Sequence, residues 1–146
     1  MIAHHPSTKT KLPKPIDNIP SAVVLPSKLN GYGLFIRQAK KNEVLCVLDG
    51  QLMDYAEFDR LTKLRRDLPY IEWNAVSKEK ILVRMFRTKY SYINHSRTPN
   101  CFVEIGEDSF VYLKAKEDLL NVELLLDYRD EPLADAYIAT HGRTYL

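Results

Sequence analysis

"SYINHSRTPNC", residues 91–101, carries the strongest functional signal in this sequence. An Asn-His-Ser triplet at residues 94–96 follows an apolar, strand-like run, and a Thr-Pro-Asn turn follows the triplet. Polar side chains between Ile93 and Cys101 need hydrogen-bonding partners if the segment is buried. Taken alone, the stretch indicates either a satisfied structural Asn-His pair or a binding site at the end of a strand.

Composition limits the class of protein before any motif is considered. The chain has 146 residues, 45% of them apolar and 27% charged, with a net charge of +2. This length and composition are typical of one soluble globular domain with a real core. The charge is too small for a nucleic-acid-binding face, and no apolar run approaches the roughly 18 residues that span a membrane. We expect no signal peptide and an intracellular, cytoplasmic location, or a nuclear or chromatin-associated one in a eukaryotic setting or after delivery to a host.

The cysteines and histidines give little support to a disulfide or a metal site. Cys46 and Cys101 lie in strand-like apolar contexts, which predicts buried free thiols and makes a structural disulfide the less favoured alternative. No Cys-rich zinc pattern occurs. His95 has no carboxylate or cysteine at ligand spacing, so we expect no metal.

The chain divides into three predicted segments. Residues 1–20 contain four prolines among lysines and predict an extended N-terminal arm. Residues 21–131 form the predicted domain, and residues 132–146 a helical tail. Short β-rich runs separated by Pro, Gly and Asn indicate a mostly β domain with many small strands. The predicted strands are residues 22–25, 34–37, 44–48, 81–83, 102–105 and 110–114.

Two helices are predicted. "DYAEFDRLTKLRRDL", residues 54–68, begins with a capping-box pattern formed by Asp54 and Glu57. Its apolar side chains recur with the helical period and fall on one face: Phe58, Leu61, Leu64 and Leu68. A shorter helix begins near Pro132, a favourable first-turn residue, and ends by Gly142.

Two further short motifs flank the Asn-His segment in the sequence. "NGYGLF", residues 30–35, contains Gly31 and Gly33, which permit positive φ and close approach of another group. A hairpin turn is the alternative, and without a third glycine and a following helix the motif is not a dinucleotide fingerprint. "ELLLDY", residues 123–128, ends an apolar strand at Asp127 and Tyr128, which alone would indicate only a strand end with a surface tyrosine.

In this order, the three motifs resemble those of the SET-domain protein lysine methyltransferases, over about residues 21–129. Many relatives have a cysteine where this chain has Arg97, and no Cys-rich tail follows Tyr128. The resemblance is therefore to a compact single-domain type without a zinc-binding post-SET tail. It implies short, mainly antiparallel sheets, a pseudoknot-like C-terminal crossing and one inserted helix. Asn42 and Asn121 stand where the family usually has Gly, and Asn tolerates the left-handed conformation.

The resemblance also implies an activity. It is the transfer of methyl groups from S-adenosylmethionine to a lysine side chain presented by a protein or peptide. Tyr128 would be the catalytic residue. Cofactor contacts would come from the Gly-x-Gly and Asn-His segments: Gly31, Tyr32, Gly33, Asn94 and His95.

The chemistry sets its own demands on such a site. Methyl transfer from a sulfonium is an in-line displacement and requires an uncharged amine, whereas a free lysine has a pKa of about 10.4. An apolar channel disfavours the ammonium by desolvation, and the sulfonium charge acts in the same direction. The hydroxyl of Tyr128 is suited to accept weak C–H···O contacts from the methyl group and to orient the amine.

Several positions depart from the family pattern and leave questions open. Tyr137 and Tyr145 are candidates to close the lysine channel in place of a zinc module. Leu126 stands where Phe or Tyr often helps to set the number of methyl groups, and Ser91 stands where an Arg often precedes the Asn-His pair. The alternative from another class is a catalytically silent SET module that binds a peptide or protein. The substrate and a homodimeric state stay open.

Overall fold

The computed structural model describes residues 14–65 and 71–146. Short strands dominate this part of the chain, with two α-helices and three 3₁₀ turns. The elements in chain order are β1 (Ala22–Pro26), β2 (Tyr32–Ala39), β3 (Val44–Leu48), β4 (Gln51–Asp54), α1 (Tyr55–Leu64), β5 (Glu72–Ala75), β6 (Lys80–Arg84), a 3₁₀ turn (Lys89–Tyr92), β7 (Asn94–His95), β8 (Cys101–Ile105), β9 (Val111–Ala115), β10 (Leu119–Glu123), β11 (Leu125–Leu126), a 3₁₀ turn (Tyr128–Asp130), α2 (Asp135–Thr140) and a 3₁₀ turn (Gly142–Thr144).

The strands form three small sheets. Their strand orders are β1-β2-β10, β3-β9-β8-β11-β7 and β4-β6-β5. Pairing within these sheets is antiparallel except at β11, which is parallel to both of its neighbours. The prediction of a mostly β fold with short, mainly antiparallel sheets is confirmed.

The C-terminal part of the domain crosses the Asn-His segment. β11 lies between β7 and β8, so the loop that joins those two strands passes around it. Asn100, in that loop, clamps the crossing: its Nδ2 donates to the carbonyl of Glu123 at 2.8 Å, and its Oδ1 accepts from the amide of Leu125 at 2.8 Å. This is the pseudoknot-like crossing that the resemblance implied.

Two hydrophobic cores hold the sheets together. The first contains Leu34 and Ile36 of β2 and Leu113 of β9, which are almost completely buried, together with both free cysteines. The second joins the first turn of α1, the β4-β6-β5 sheet and the C-terminal tail. Its buried members are Tyr55, Trp73, Ala75, Ile81, Leu133, Ala134 and Tyr137.

Helix α1 differs from its prediction at both ends. Asp54 is the N-cap, but its side chain makes no cap hydrogen bond and instead pairs with Lys80 at 2.7 Å. Glu57 pairs with Arg60 at 2.6 Å, so the predicted capping box is wrong because both carboxylates have other partners. Leu64 is exposed, and residues 66–68 of the predicted helix lie outside the described residues.

The predicted N-terminal arm falls partly outside the described residues, and the part from residue 14 onward is packed. The amide of Ile16 donates to the carbonyl of Arg87 at 2.9 Å, and Ile19 is completely buried in the first core. Lys89 secures the segment through its ammonium, which donates to the carbonyl of Ala22 at 2.6 Å and pairs with Asp17 at 2.7 Å.

The two asparagines that stand where the family usually has Gly both adopt the left-handed conformation. Asn42 has φ of 66° and Asn121 has φ of 48°, both in the left-handed region. Asn121 lies in the middle of β10, which pairs with β2. The positions where the family usually has Gly therefore do require left-handed backbone.

Candidate active site

The three sequence motifs meet along the last strands of the domain. β10 pairs with β2, with Glu123 opposite Phe35, and β11 follows directly and pairs with β7. Residues 119–128 therefore run from the Gly-x-Gly strand to the Asn-His strand and end at Tyr128. This path brings together segments that are more than sixty residues apart in the sequence.

Asn94 ties the Asn-His strand to the Gly-x-Gly turn. Its Nδ2 donates to the carbonyl of Tyr32 at 3.1 Å and to Oε1 of Glu123 at 2.8 Å, with a longer contact to the carbonyl of Asn30 at 3.4 Å. All three partners accept. The ring of Tyr32 beside them is 53% exposed, so this corner of the molecule is open to solvent.

The two glycines of the motif have different surroundings. Gly31 has φ of +48°, and nothing lies within 4 Å of where a Cβ would be. A Cβ on Gly33 would lie 2.1 Å from Oε1 of Glu123. The missing side chain of Gly33 thus makes room for the Glu123 carboxylate, a partner that the sequence did not reveal although Glu123 is the first residue of "ELLLDY".

His95 supports the backbone at Tyr128. Its Nδ1 accepts the amide N–H of Tyr128 at 3.1 Å, and the two rings are 5.1 Å apart between centroids. Burial lowers the pKa of His95; the Asp127 carboxylate, 3.9 Å from Nδ1, acts in the opposite direction but is itself bound to Arg129 at 2.5 Å. An accepting Nδ1 requires the imidazole proton on Nε2, so His95 is the neutral tautomer at neutral pH.

Tyr128 points its hydroxyl at the crossing. The hydroxyl donates to the backbone carbonyl of Ile93, the residue before Asn94. Burial raises the pKa of Tyr128 above its usual range, and the neighbouring Tyr145 and Glu131 add to the effect. The group is therefore a neutral phenol whose proton is engaged and whose oxygen lone pairs are left to accept.

One of the two tail tyrosines lies beside the ring of Tyr128. The ring of Tyr145 lies 6.1 Å from that of Tyr128 between centroids, at an interplanar angle of 75°. Tyr137 lies behind it in the second core, and the hydroxyls of Tyr137 and Tyr145 hydrogen-bond to each other. Of the two candidates for a channel wall, Tyr145 is the one beside Tyr128.

A buried polar network fixes the chain that follows Tyr128. Glu131 is buried, and its carboxylate accepts from the hydroxyl of Tyr90 at 3.1 Å, from the amide of Ala75 at 2.8 Å and from Nδ2 of Asn74. Asn74 in turn accepts from Arg84. Buried charges persist only where such partners surround them. The polar residues of β5, Glu72 and Asn74, are the signal in the sequence that points to this network.

The remaining departures from the family pattern also have visible contacts. Leu126 is buried in the first core, opposite His95 and Cys101 in the register. The hydroxyl of Ser91 donates to the carbonyl of Thr88 at 2.8 Å and so closes the 3₁₀ turn before β7. The guanidinium of Arg97 donates to the carbonyl of Leu146 at 3.3 Å, so this position contacts the tail.

The described part of the chain contains neither a cluster of metal ligands nor a membrane-spanning helix. Within residues 14–65 and 71–146, no group of three or more His, Cys, Asp and Glu side chains is arranged to hold a metal ion. In the same ranges, no helix is long and apolar enough to cross a membrane.

Comparison with known proteins identifies the fold. No family model matches the chain, and no curated protein matches it. Its structure is similar to that of Ezh2 in an apo ctPRC2 structure that carries two Ezh2 substitutions, with a TM-score of 0.60 and 24% sequence identity. The match covers 75% of this chain and 15% of that one, so it concerns a small part of the larger protein. The protein has a SET-domain fold.

Proposed function

We propose that the protein transfers methyl groups from S-adenosylmethionine to a lysine side chain of a protein substrate. The observation that carries the proposal is the placement of Tyr128 within the SET-domain fold. The neutral hydroxyl of Tyr128 donates to the carbonyl of Ile93, and the amide of Tyr128 donates to Nδ1 of His95. Asn94 lies next to His95 on strand β7.

The open corner beside Asn94 fits the amino-acid part of the cofactor. With Nδ2 directed at three acceptors, Oδ1 of Asn94 receives no hydrogen bond from any residue that the structure describes. A free amide oxygen is a suitable acceptor for an ammonium group. The exposed ring of Tyr32 and the open backbone at Gly31 offer further contact surface. When bound, S-adenosylmethionine supplies a methyl group activated by a sulfonium.

Tyr128 and Tyr145 then provide the acceptor side of the reaction. Burial raises the pKa of both phenols, so neither is a phenolate at neutral pH. Tyr128 therefore orients the amine and does not act as the base that removes the amine's proton. The aromatic walls disfavour the charged form of an entering lysine because they remove its hydration. Alignment of the neutral amine is a large part of the rate enhancement in such a transfer.

The test is methyl transfer from labelled S-adenosylmethionine to candidate proteins, including histones and ribosomal proteins. Tyr128→Phe keeps the ring and removes the hydroxyl, so it should lower the single-turnover rate by about one to three orders of magnitude. Its affinity for S-adenosylhomocysteine should change little. Tyr112→Phe is the matched control, since that hydroxyl binds Asp108 at 2.7 Å on the exposed side of β9.

The possible results separate the competing functions. A wild-type protein that binds no cofactor would refute the proposal. Binding without transfer to any tested protein would favour the catalytically silent module. Full activity in Tyr128→Phe would remove the hydroxyl from the mechanism while leaving the methyltransferase assignment in place.

A further inference from the structure

Glu123 is held in one position from three directions. The hydroxyl of Ser27 donates to Oε2 at 3.0 Å, and Nδ2 of Asn94 donates to Oε1 at 2.8 Å. On the third side, the carboxylate occupies the space that a side chain on Gly33 would need. The residue is half-buried, so these contacts are partly shielded from water.

This contact imposes an orientation on Asn94. A carboxamide has a donating and an accepting end of nearly the same shape, and only its hydrogen-bonding partners distinguish the two. An ionised carboxylate accepts and never donates, as do the carbonyls of Tyr32 and Asn30. The NH₂ end must therefore face Glu123, and Oδ1 must point away from it.

We propose that Glu123 is a positioning residue that fixes the Asn94 carboxamide so that its oxygen faces the ammonium group of the cofactor's amino-acid part. The inference rests on the proposed function for the identity of that ligand. It also gives Gly33 a different role from backbone contact with the cofactor: the glycine leaves space for the carboxylate that orients Asn94.

Glu123→Gln tests the orientation without removing bulk. A glutamine can present either its NH₂ or its oxygen to Asn94, so the shortest of the three contacts that hold the NH₂ end no longer favours one orientation, and only the carbonyls of Tyr32 and Asn30 still do. Loss of a hydrogen bond to a charged group should weaken S-adenosylhomocysteine binding by about 10- to 100-fold. Calorimetric titration measures this directly and needs no catalytic turnover.

The choice of ligand separates positioning from a general loss of structure. 5′-Methylthioadenosine lacks the amino-acid part of the cofactor, so its affinity should be the same in the wild type and in Glu123→Gln. Gly33→Ala should show the same selective loss, because the new methyl group would displace the carboxylate. Glu104→Gln is the matched control: its exposed carboxylate pairs with Lys114 at 2.7 Å, and both ligands should bind it normally.

A double variant tests whether Glu123 acts through Asn94. In an Asn94→Ala background, Glu123→Gln should cause no further loss of S-adenosylhomocysteine affinity. A further loss would overturn the positioning role and indicate direct contact with the ligand. Wild-type affinity in Glu123→Gln, or an equal loss for both ligands, would also overturn it. A wild-type protein that binds neither ligand would refute the proposed function, and the inference with it.

Discussion

Replacing Tyr137 by alanine should destabilise the whole domain, because this tail residue fills the second core. Its ring packs edge-on against Trp73, with 5.1 Å between centroids and an interplanar angle of 87°, and against Tyr55 at 6.3 Å and 88°. The side chain is 7% exposed, so truncation leaves a cavity that its neighbours can close only in part.

The expected cost is a large fraction of the total stability. Truncating a buried aromatic side chain to alanine costs about 3–5 kcal/mol, whereas a domain of this size is stable by about 5–15 kcal/mol. With an m value of about 2 kcal/mol/M in urea, the unfolding midpoint should fall by about 1.5–2.5 M. The m value itself should change little if unfolding stays two-state.

The chain supplies its own probe for this measurement. Trp73 is the single tryptophan in the sequence and lies against Tyr137, so its fluorescence reports on the second core. Ile138→Ala is the matched control, since the neighbouring side chain is 41% exposed and should cost less than about 1 kcal/mol. A midpoint for Tyr137→Ala within about 0.3 M of the wild type would contradict the packing argument.

Three further predictions follow from other contacts. Asn94→Ala should weaken S-adenosylmethionine binding in calorimetry by about 10- to 100-fold while circular dichroism shows a folded protein; wild-type affinity would contradict the cofactor site. Because the pKa of His95 is lowered in the folded state, its contribution to stability is complete above about pH 6.5 and is lost as the pH falls through the folded value. The free energy of unfolding should therefore drop between pH 7.5 and 5.5, and less so in His95→Gln; equal drops would contradict this. Burial raises the pKa of the Cys46 and Cys101 thiols to about 12, so a thiol reagent at pH 8 should label them only on unfolding, and rapid labelling of native protein would be inconsistent with their burial.

Strands with an unbroken apolar or β-branched run could be predicted from the sequence. The bounds of β3 agree with the prediction, those of β1 and β8 differ by one residue at one end, and those of β9 differ by one residue at each end. β4 and β5 could not be predicted in this way. β4 is short, has polar ends and leads directly into α1, while β5 places Glu72 and Asn74 in completely buried positions. A polar residue in a short run normally indicates an exposed side. These positions are tolerable because Arg84 and Thr88 bind Glu72, and Glu131 and Tyr90 bind Asn74.

The candidate site was predictable to the level of motifs and no further. The order of the motifs predicted that Asn94, His95 and Tyr128 serve one site, and the structure places them on adjoining segments. The contacts that orient them depend on residues far away in the chain. Glu123 bonds Ser27 across 96 positions, a pairing that no local pattern encodes. Spacing predicts which strands carry polar groups, but only the sheet register determines which groups meet.

Whether Tyr145 forms a wall of the lysine channel has to be tested by single substitutions and not by deleting the tail. Deleting the predicted tail, residues 132–146, would be the simplest way to test Tyr145 as a channel wall. In the structure, that deletion would also remove Leu133 and Tyr137 and expose Trp73. Burying each such side chain is worth about 1.5–3 kcal/mol, so a deleted chain would lose activity through unfolding whatever Tyr145 does. Tyr145 belongs to the rim of that core and contacts Tyr128, so its substitution changes the surroundings of the hydroxyl while the buried anchors of the tail stay in place.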